Sequence, residues 1–140
     1  MSEHLICVVD DDDSVREAVR GLLRSAGYTV ESFASAGEFL AASVRPRAEC
    51  LVLDVSMPAI TGPELQARLV AEHAGPLPLP LPMIFMSAGS DESARARVLA
   101  AGAFAFLRKP FDDEELLTVV HEALEGKIPP SAAVSAAGRS

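Results

Sequence analysis

The chain has 140 residues, of which 49% are hydrophobic and 23% charged, a composition that suits one globular domain with a sizeable core. Its net charge of −8 argues against non-specific binding to nucleic acid, which depends on lysine and arginine contacts to phosphates. The N-terminus lacks a secretory signal, and the longest apolar stretch, 77–86, is too short and too rich in proline to span a membrane. We therefore expect a cytoplasmic protein with neither a membrane nor a nucleic acid as a direct partner.

The cysteines and histidines show no pattern of a disulfide framework or a metal site. Cys7 and Cys50 each lie within an apolar run, so we predict buried, reduced thiols rather than a disulfide framework. The histidines are scattered without metal-ligand spacing and are interpreted as surface or packing residues; they are His4, His73 and His121.

The first predicted elements are a strand and a helix. LICVV (5–9) is a β-branched apolar run typical of a strand buried on both faces. Apolar residues then recur at helical spacing over 15–26, and Gly27 ends the run. The candidate N-caps are Asp12, Asp13 and Ser14.

The middle of the chain predicts two more strands. YTVESF (28–33) alternates in polarity, as in a strand near a sheet edge, and SAGEFLAAS (35–43) is a short helix. CLVLD (50–54) is a fully apolar run that ends on an aspartate. MPAITG (57–62) contains proline and glycine and is predicted as a loop.

The remaining elements continue the alternation. PELQARLVAEH (63–73) is a predicted helix with proline in its first turn, and PMIFMS (82–87) is a strand that ends on a hydroxyl. A helix over 91–102 is followed by the strand AFAFL (103–107). The helix over 111–126 is acidic at its start, as the helix dipole favours.

Five strands alternating with five helices, joined by short connections, indicate an α/β domain with a parallel sheet and helices on both faces. Two segments do not fit this pattern. The Leu-Pro repeat at 75–82 is predicted as a stiff extended loop, and 127–140 as a flexible tail.

Polar residues follow four of the predicted strands at the point where each strand ends. Because the carboxyl ends of parallel strands meet at one edge of the sheet, we expect these side chains to converge. They are Asp10, Asp11, Asp54, Ser87 and Lys109. Each one alone is better explained as a helix cap, a turn residue or a solvated surface lysine, but their conjunction favours a site.

The chemistry of such a site follows from its residue types. Carboxylates in a partly buried pocket suit Mg²⁺, and a divalent ion prepares a site for phosphoryl groups. A carboxylate can itself be the nucleophile and form an aspartyl-phosphate, while a lysine and a hydroxyl take the remaining phosphoryl oxygens. Asp12 and Asp13 are explained by capping of the following helix.

Four motifs together resemble the receiver domain of bacterial two-component response regulators. They are VVDDD (8–12), LVLDVSMPAITG (51–62), MSAG (86–89) and AGAFAFLRKPF (101–111). The resemblance implies a flavodoxin-like (βα)5 three-layer sandwich with strand order 2-1-3-4-5. It implies a receiver domain over 1–126, and we expect no output domain in the tail.

The resemblance also implies the reaction and its ligands. A sensor histidine kinase or phosphotransfer protein would phosphorylate Asp54. Mg²⁺, with Mn²⁺ as a substitute, would contact Asp11 and Asp54 directly, Asp10 through water, and the backbone carbonyl of Ser56. The domain would catalyse only its own phosphoryl transfer and dephosphorylation, so it is not expected to be an enzyme acting on an outside substrate.

The resemblance assigns the switching residues as well. Ser87 would hydrogen-bond the phosphoryl group, Lys109 would pair with a phosphoryl oxygen, and Phe106 would be the aromatic switch coupled to Ser87. The Lys109–Pro110 bond would be cis. Activation would change the face made by residues 87–125, and a phosphorylation-dependent homodimer would form through 91–125.

Two other functions compete with this interpretation. One is a pseudo-receiver, the same fold acting as a phosphorylation-independent protein-binding module. The other is a Mg²⁺-dependent phosphatase with an aspartyl nucleophile, which typically needs an Asp-x-Asp motif, whereas Asp54 is followed by Val55 and Ser56.

Overall fold

The computed structural model describes residues 4–73, 81–89 and 92–126. Five parallel strands form one sheet with the order β2-β1-β3-β4-β5, which confirms the predicted fold class and strand order. The strands are β1 (Leu5–Val9), β2 (Thr29–Phe33), β3 (Cys50–Asp54), β4 (Met83–Ser87) and β5 (Ala105–Arg108). The helices are α1 (Asp13–Ser25), α2 (Ala36–Ala41), α3 (Gly62–Glu72), α4 (Glu92–Ala100) and α5 (Asp113–Leu124), with a 3-10 helix at Arg45–Arg47.

The sheet lies between two helical layers because successive strand side chains point to opposite faces. In β1, Ile6 and Val8 pack into the cluster formed with α1 and α5, whereas Cys7 and Val9 pack into the cluster formed with α2, α3 and α4. Cys50 belongs to the first cluster and Cys7 to the second, so the two buried free thiols lie on opposite faces of the sheet. The prediction of buried, reduced cysteines is confirmed.

Capping residues determine where helices α1 and α3 begin. The Asp12 carboxylate accepts hydrogen bonds from the backbone N–H groups of Ser14 (2.9 Å) and Val15 (3.2 Å), which makes Asp12 the N-cap of α1. At α3, Thr61 and Glu64 form a reciprocal capping box. Gly27, with φ of 98°, ends the α1 region in the left-handed conformation that glycine tolerates.

Several predicted boundaries differ from the observed ones for identifiable reasons. Helix α2 is shorter than 35–43 because Ala42 has extended backbone, and the short 3-10 helix around Pro46 was not predicted. Strand β5 begins at Ala105 rather than at residue 103, because the Ala103 N–H closes the end of α4 on the Val98 carbonyl (2.9 Å). Helix α5 is shorter than 111–126, because Asp112, with extended backbone, is its N-cap and Glu125 is its C-cap.

The two segments that did not fit the alternation fall largely outside the described residues, namely 75–80 of the Leu-Pro repeat and all of 127–140. None of the helices among the described residues combines the length and hydropathy needed to cross a bilayer.

Candidate functional site

The site lies at the carboxyl edge of the sheet, beside the point where the strand order reverses. Strands β1 and β3 are neighbours there, with Val9 opposite Leu53, although β2 separates them along the chain. Asp10 follows β1 and Asp54 ends β3, so the topology brings the two aspartates together. Such switch points are where open α/β sheets bind ligands.

Three carboxylates form a compact group at this edge. Asp10, Asp11 and Asp54 each offer a carboxylate oxygen, and these oxygens lie within 4.8 Å of one another. Asp10 is 0% exposed and Asp54 7% exposed, whereas Asp11 is open to solvent. Hard oxygen donors with one open side fit a divalent cation that keeps some of its water. The structure therefore brings the three predicted acids together in an arrangement suited to Mg²⁺.

Lys109 places a positive charge against two of these acids. Its Nζ donates to Asp54 Oδ1 at 3.0 Å and to Asp10 Oδ2 at 3.2 Å. Lys109 directly follows strand β5, and the Lys109–Pro110 bond is cis, as predicted. The lysine offsets part of the repulsion within the acidic group and remains only partly exposed.

Burial and charge act in opposite directions on the pKa of Asp54. Burial raises this pKa, the hydrogen bond and charge of Lys109 lower it, and the charges of Asp10 and Asp11 raise it again, so that the net direction is upward. For Lys109, burial lowers the pKa but contact with Asp54 and Asp10 outweighs it, and the pKa is raised. The site thus holds an ammonium firmly protonated beside a carboxylate of increased basicity.

A set of backbone hydrogen bonds fixes the loop that carries the acids. The Asp10 N–H donates to the Phe33 carbonyl (3.1 Å), and the Asp10 carboxylate accepts from the Asp12 N–H (2.9 Å). The predicted capping role of Asp12 is confirmed, and Asp13 lies in the first turn of α1.

Two residues at the site were missed by the sequence analysis. Arg16 donates from Nη1 to the Asp10 carbonyl oxygen at 2.8 Å and pairs with Asp13 through Nη2. Gly62 approaches the backbone of Asp54 so closely that a Cβ atom at residue 62 would lie 2.5 Å from the Asp54 carbonyl oxygen. Neither role follows from spacing alone, although a glycine just before a predicted helix is a signal for close approach.

The two predicted switching residues lie on the neighbouring strands β4 and β5. Ser87 is buried at the end of β4, and its hydroxyl oxygen lies 3.3 Å from both the Gly89 carbonyl oxygen and the Gly89 N–H nitrogen. Phe106 is half-buried and packs on the cluster formed with α2, α3 and α4. Ser56 lies exposed in the loop between β3 and α3.

Comparison with known proteins identifies the family. The family model described as the response regulator receiver domain matches residues 6–121, and the chain belongs to this family. It is 40% identical over 121 residues to the response regulator protein TodT of Pseudomonas putida, covering 86% of this chain and 51% of TodT. It is 39% identical over 117 residues to the transcriptional regulatory protein FixJ of Azorhizobium caulinodans, covering 84% of this chain and 53% of FixJ.

Solved structures agree with this assignment. The crystal structure of FixJ-N superposes with a TM-score of 0.77 at 29% identity, covering 89% of this chain and 96% of that one. The structure of response regulator StyR gives a TM-score of 0.78 at 40% identity, covering 99% of this chain and 67% of that one. The chain spans about half the length of the curated relatives that it matches.

Proposed function

We propose that the chain is a phosphoacceptor signalling switch in which Asp54 takes a phosphoryl group from a phosphohistidine donor in a Mg²⁺-dependent reaction. The observation that supports it best is the buried Asp54 carboxylate, in contact with Lys109 and grouped with Asp10 and Asp11 at the sheet edge. Membership of the receiver family points to the same function.

In the proposed reaction, a carboxylate oxygen of Asp54 attacks the phosphorus atom of the donor. The O–P bond forms as the N–P bond of phosphohistidine breaks, and the donor imidazole leaves with its electron pair and takes up a proton. Lys109, already 3.0 Å from Asp54, pairs with the phosphoryl oxygens as charge develops on them.

The acidic residues would bind the cation that this reaction needs. Asp11 and Asp54 would hold Mg²⁺ directly, Asp10 through water, and the Ser56 carbonyl would complete the protein ligands. When bound, the ion neutralises phosphoryl oxygens and keeps the transferring group in line. The same site would later hydrolyse the aspartyl-phosphate, so the chain acts only on itself.

A direct test uses acetyl phosphate with Mg²⁺, followed by mass spectrometry of the intact protein. We expect one added phosphoryl group that is labile to base and hydroxylamine, and none in Asp54→Ala. Asp112→Ala, which removes an aspartate far along the chain at the start of α5, serves as the matched control and should be modified like the parent. Full modification of Asp54→Ala would contradict the assignment.

The protein donor would dock beside the site. An apolar groove runs between Ala18 and Leu22 of α1 and Phe111 after the cis-proline, and Lys109 lies at its edge. A phosphohistidine domain seated there would reach Asp54 from the side of Lys109. We expect Ala18→Arg to block phosphorylation by a histidine kinase that modifies the parent, while modification by acetyl phosphate continues; equal loss with both donors would argue against this surface.

Phosphorylation would be transmitted through Ser87 and Phe106. The Ser87 hydroxyl, now bonded to Gly89, would turn to the phosphoryl group, and Phe106 would move into the space that it leaves. Because phenylalanine has no hydroxyl to form a hydrogen bond, Phe106 would respond to phosphorylation only through a change in its packing. Hydrogen exchange within 87–111 should therefore change on phosphorylation, and no change there would refute the coupling.

A phosphorylation-independent pseudo-receiver is the less favoured function, since every position that the chemistry needs carries a suitable side chain. Control of transcription by a longer protein containing this chain is a further proposal, supported by relatives named as transcriptional regulatory proteins.

A further inference from the structure

The side chain of Arg16 contacts both the end of β1 and the first turn of α1. One nitrogen of its guanidinium donates to the Asp10 carbonyl oxygen at the end of β1 (2.8 Å), and another pairs with Asp13 in the first turn of α1. Its side chain is only 15% exposed, unlike that of Asp13. The planar, forked guanidinium suits this double contact, because its donors have a fixed spacing.

The segment held by this fork contains Asp11. The chain turns from strand to helix between Asp10 and Asp13, and Asp11 contributes an oxygen to the three-carboxylate group from within that turn. Asp10 is also held through its own N–H and carboxylate, but those bonds run to Phe33 and Asp12. The Arg16 fork therefore adds a second tie, besides the bond from the Asp12 N–H to the Asp10 carboxylate, and it runs from the Asp10 backbone carbonyl to Asp13 in the first turn of α1.

We propose that Arg16 is a positioning residue of the metal site, which sets the spacing of Asp10 and Asp11 and thereby raises the affinity for a divalent cation. The inference rests on the proposed function, since it requires the acids to bind the ion. Residues that orient metal ligands typically change affinity by about tenfold to a hundredfold when they are removed.

A simple charge effect has the opposite sign. A guanidinium near the carboxylates repels a divalent cation, so loss of its charge alone would strengthen Mg²⁺ binding. Loss of positioning would weaken it. The direction of the change therefore separates the two roles, and a residue that contributes only to folding would change the melting temperature in chelator without changing Mg²⁺ affinity.

The experiment measures Mg²⁺ affinity by calorimetry for the parent, Arg16→Gln, Arg16→Lys and the control Arg20→Gln. Arg20 lies one turn further along α1, where it pairs with the exposed Glu17 at 3.5 Å. We expect roughly tenfold weaker binding for Arg16→Gln. Arg16→Lys should also bind weakly, because it keeps the charge but loses the fork. Arg20→Gln should bind like the parent, and melting in chelator establishes that each variant is folded.

Parental affinity in both Arg16 variants, or tighter binding by Arg16→Gln with no change in Arg16→Lys, would overturn the positioning role and leave the metal site intact. Absence of Mg²⁺ binding by the parent would overturn both this role and the Mg²⁺ dependence of the proposed function. If Arg16→Gln does not fold, Arg16→Lys carries the decision by the same criterion.

Discussion

At the scale of single residues, Asp11 is the exposed member of a group whose other two carboxylates are buried. Without a cation its charge repels Asp10 and Asp54, and Lys109 contacts only those two. Asp11→Asn removes this repulsion while keeping the shape of the side chain. We expect the variant to be more stable than the parent in chelator by about 1 kcal/mol. This value is smaller than for a buried pair of like charges, because Asp11 faces solvent.

The same variant should lose the response to Mg²⁺. An ion that binds only the folded state stabilises the parent by about 2.7 kcal/mol at one hundred times its dissociation constant. Thermal melting of parent and Asp11→Asn, each in chelator and in Mg²⁺, gives the comparison. Equal shifts in both proteins, or none in either, would mean that the acidic run is only a helix cap.

The convergence of the side chains at the strand ends could be predicted from the sequence, because parallel topology alone brings Asp10, Asp54 and Lys109 to one edge. The role of Arg16 could not. It depends on a side chain reaching back from the second turn of a helix to a backbone carbonyl, and nothing in helical spacing specifies that direction. The approach of Gly62 to Asp54 likewise appears only once α3 is packed on the sheet.

The buried thiols predict a loss of stability in alkali. Burial raises the pKa of Cys7 to about 11 and that of Cys50 to about 12, with smaller contributions from Glu31 and from the other thiol respectively, against an ordinary value of 9.0. The unfolded chain therefore ionises first, and the stability that the neutral thiols contribute below pH 9 is lost progressively as pH rises toward 11 or 12.

Urea unfolding at pH 8 and pH 10 measures this loss. By pH 10 the two thiols together should cost about 2 to 3 kcal/mol. The double variant Cys7→Ala/Cys50→Ala is expected to start less stable, because it leaves cavities, but to lose less stability between the two pH values. Tyr28, whose pKa burial also raises, and Lys109 remain in both proteins, so the difference between the two losses of stability isolates the contribution of the thiols. Identical losses would contradict the burial argument.

At the scale of elements, Gln66 connects two helices on the same face of the sheet. It is only 3% exposed, and its Nε2 donates to the Val98 carbonyl oxygen at 2.9 Å, which ties α3 to α4. The same carbonyl accepts from the Ala103 N–H at 2.9 Å. The C-terminal half of α4 is therefore anchored from two sides.

Gln66→Leu tests this anchor with a side chain that fits an apolar cluster. The Val98 carbonyl keeps its bond from Ala103, so the loss should be that of one ordinary hydrogen bond, about 1 kcal/mol. Hydrogen exchange should accelerate over 92–100 and stay unchanged in the strands. Arg68→Gln, an exposed position on the same helix, is the control. Equal exchange in the two variants would show that Gln66 does not hold α4.

Element types and order followed from the sequence, whereas several ends did not. Periodicity identified the apolar runs of β1, β3 and β4, because a strand buried on both faces has no polar positions. The segment predicted as α2 gave no end signal, since its last residues, Ala42 and Ser43, are compatible with both helix and loop. Before β5, the N–H of Ala103 bonds to the Val98 carbonyl at the end of α4, and the apolar pattern of 103–107 does not show this contact.

At the scale of the whole molecule, β5 lies at one edge of the sheet, where β4 is its only neighbour among the described residues. Helix α4 buries a single residue, Val98, and leaves a charged outer surface beside this edge. On that surface Glu92 pairs with Arg108 of β5 and lies 3.9 Å from Arg95. A surface that carries both signs of charge can pair with the same surface of a second copy across a two-fold axis, which is the commonest way in which identical chains associate.

We expect phosphorylation to convert this surface into a dimer interface within 91–125, by exchanging pairs such as Glu92–Arg108 within one chain for pairs between two chains. Light scattering after size exclusion should show the mass double with acetyl phosphate and Mg²⁺, and remain monomeric for Asp54→Ala. Arg95→Glu should be phosphorylated normally but stay monomeric, because it repels Glu92 of the second copy. Arg24→Glu makes the same change of charge on α1, in the other helical layer, and should dimerise like the parent. If the fully phosphorylated parent stays monomeric, or if both charge reversals prevent association equally, the α4–β5 surface is not the dimer interface.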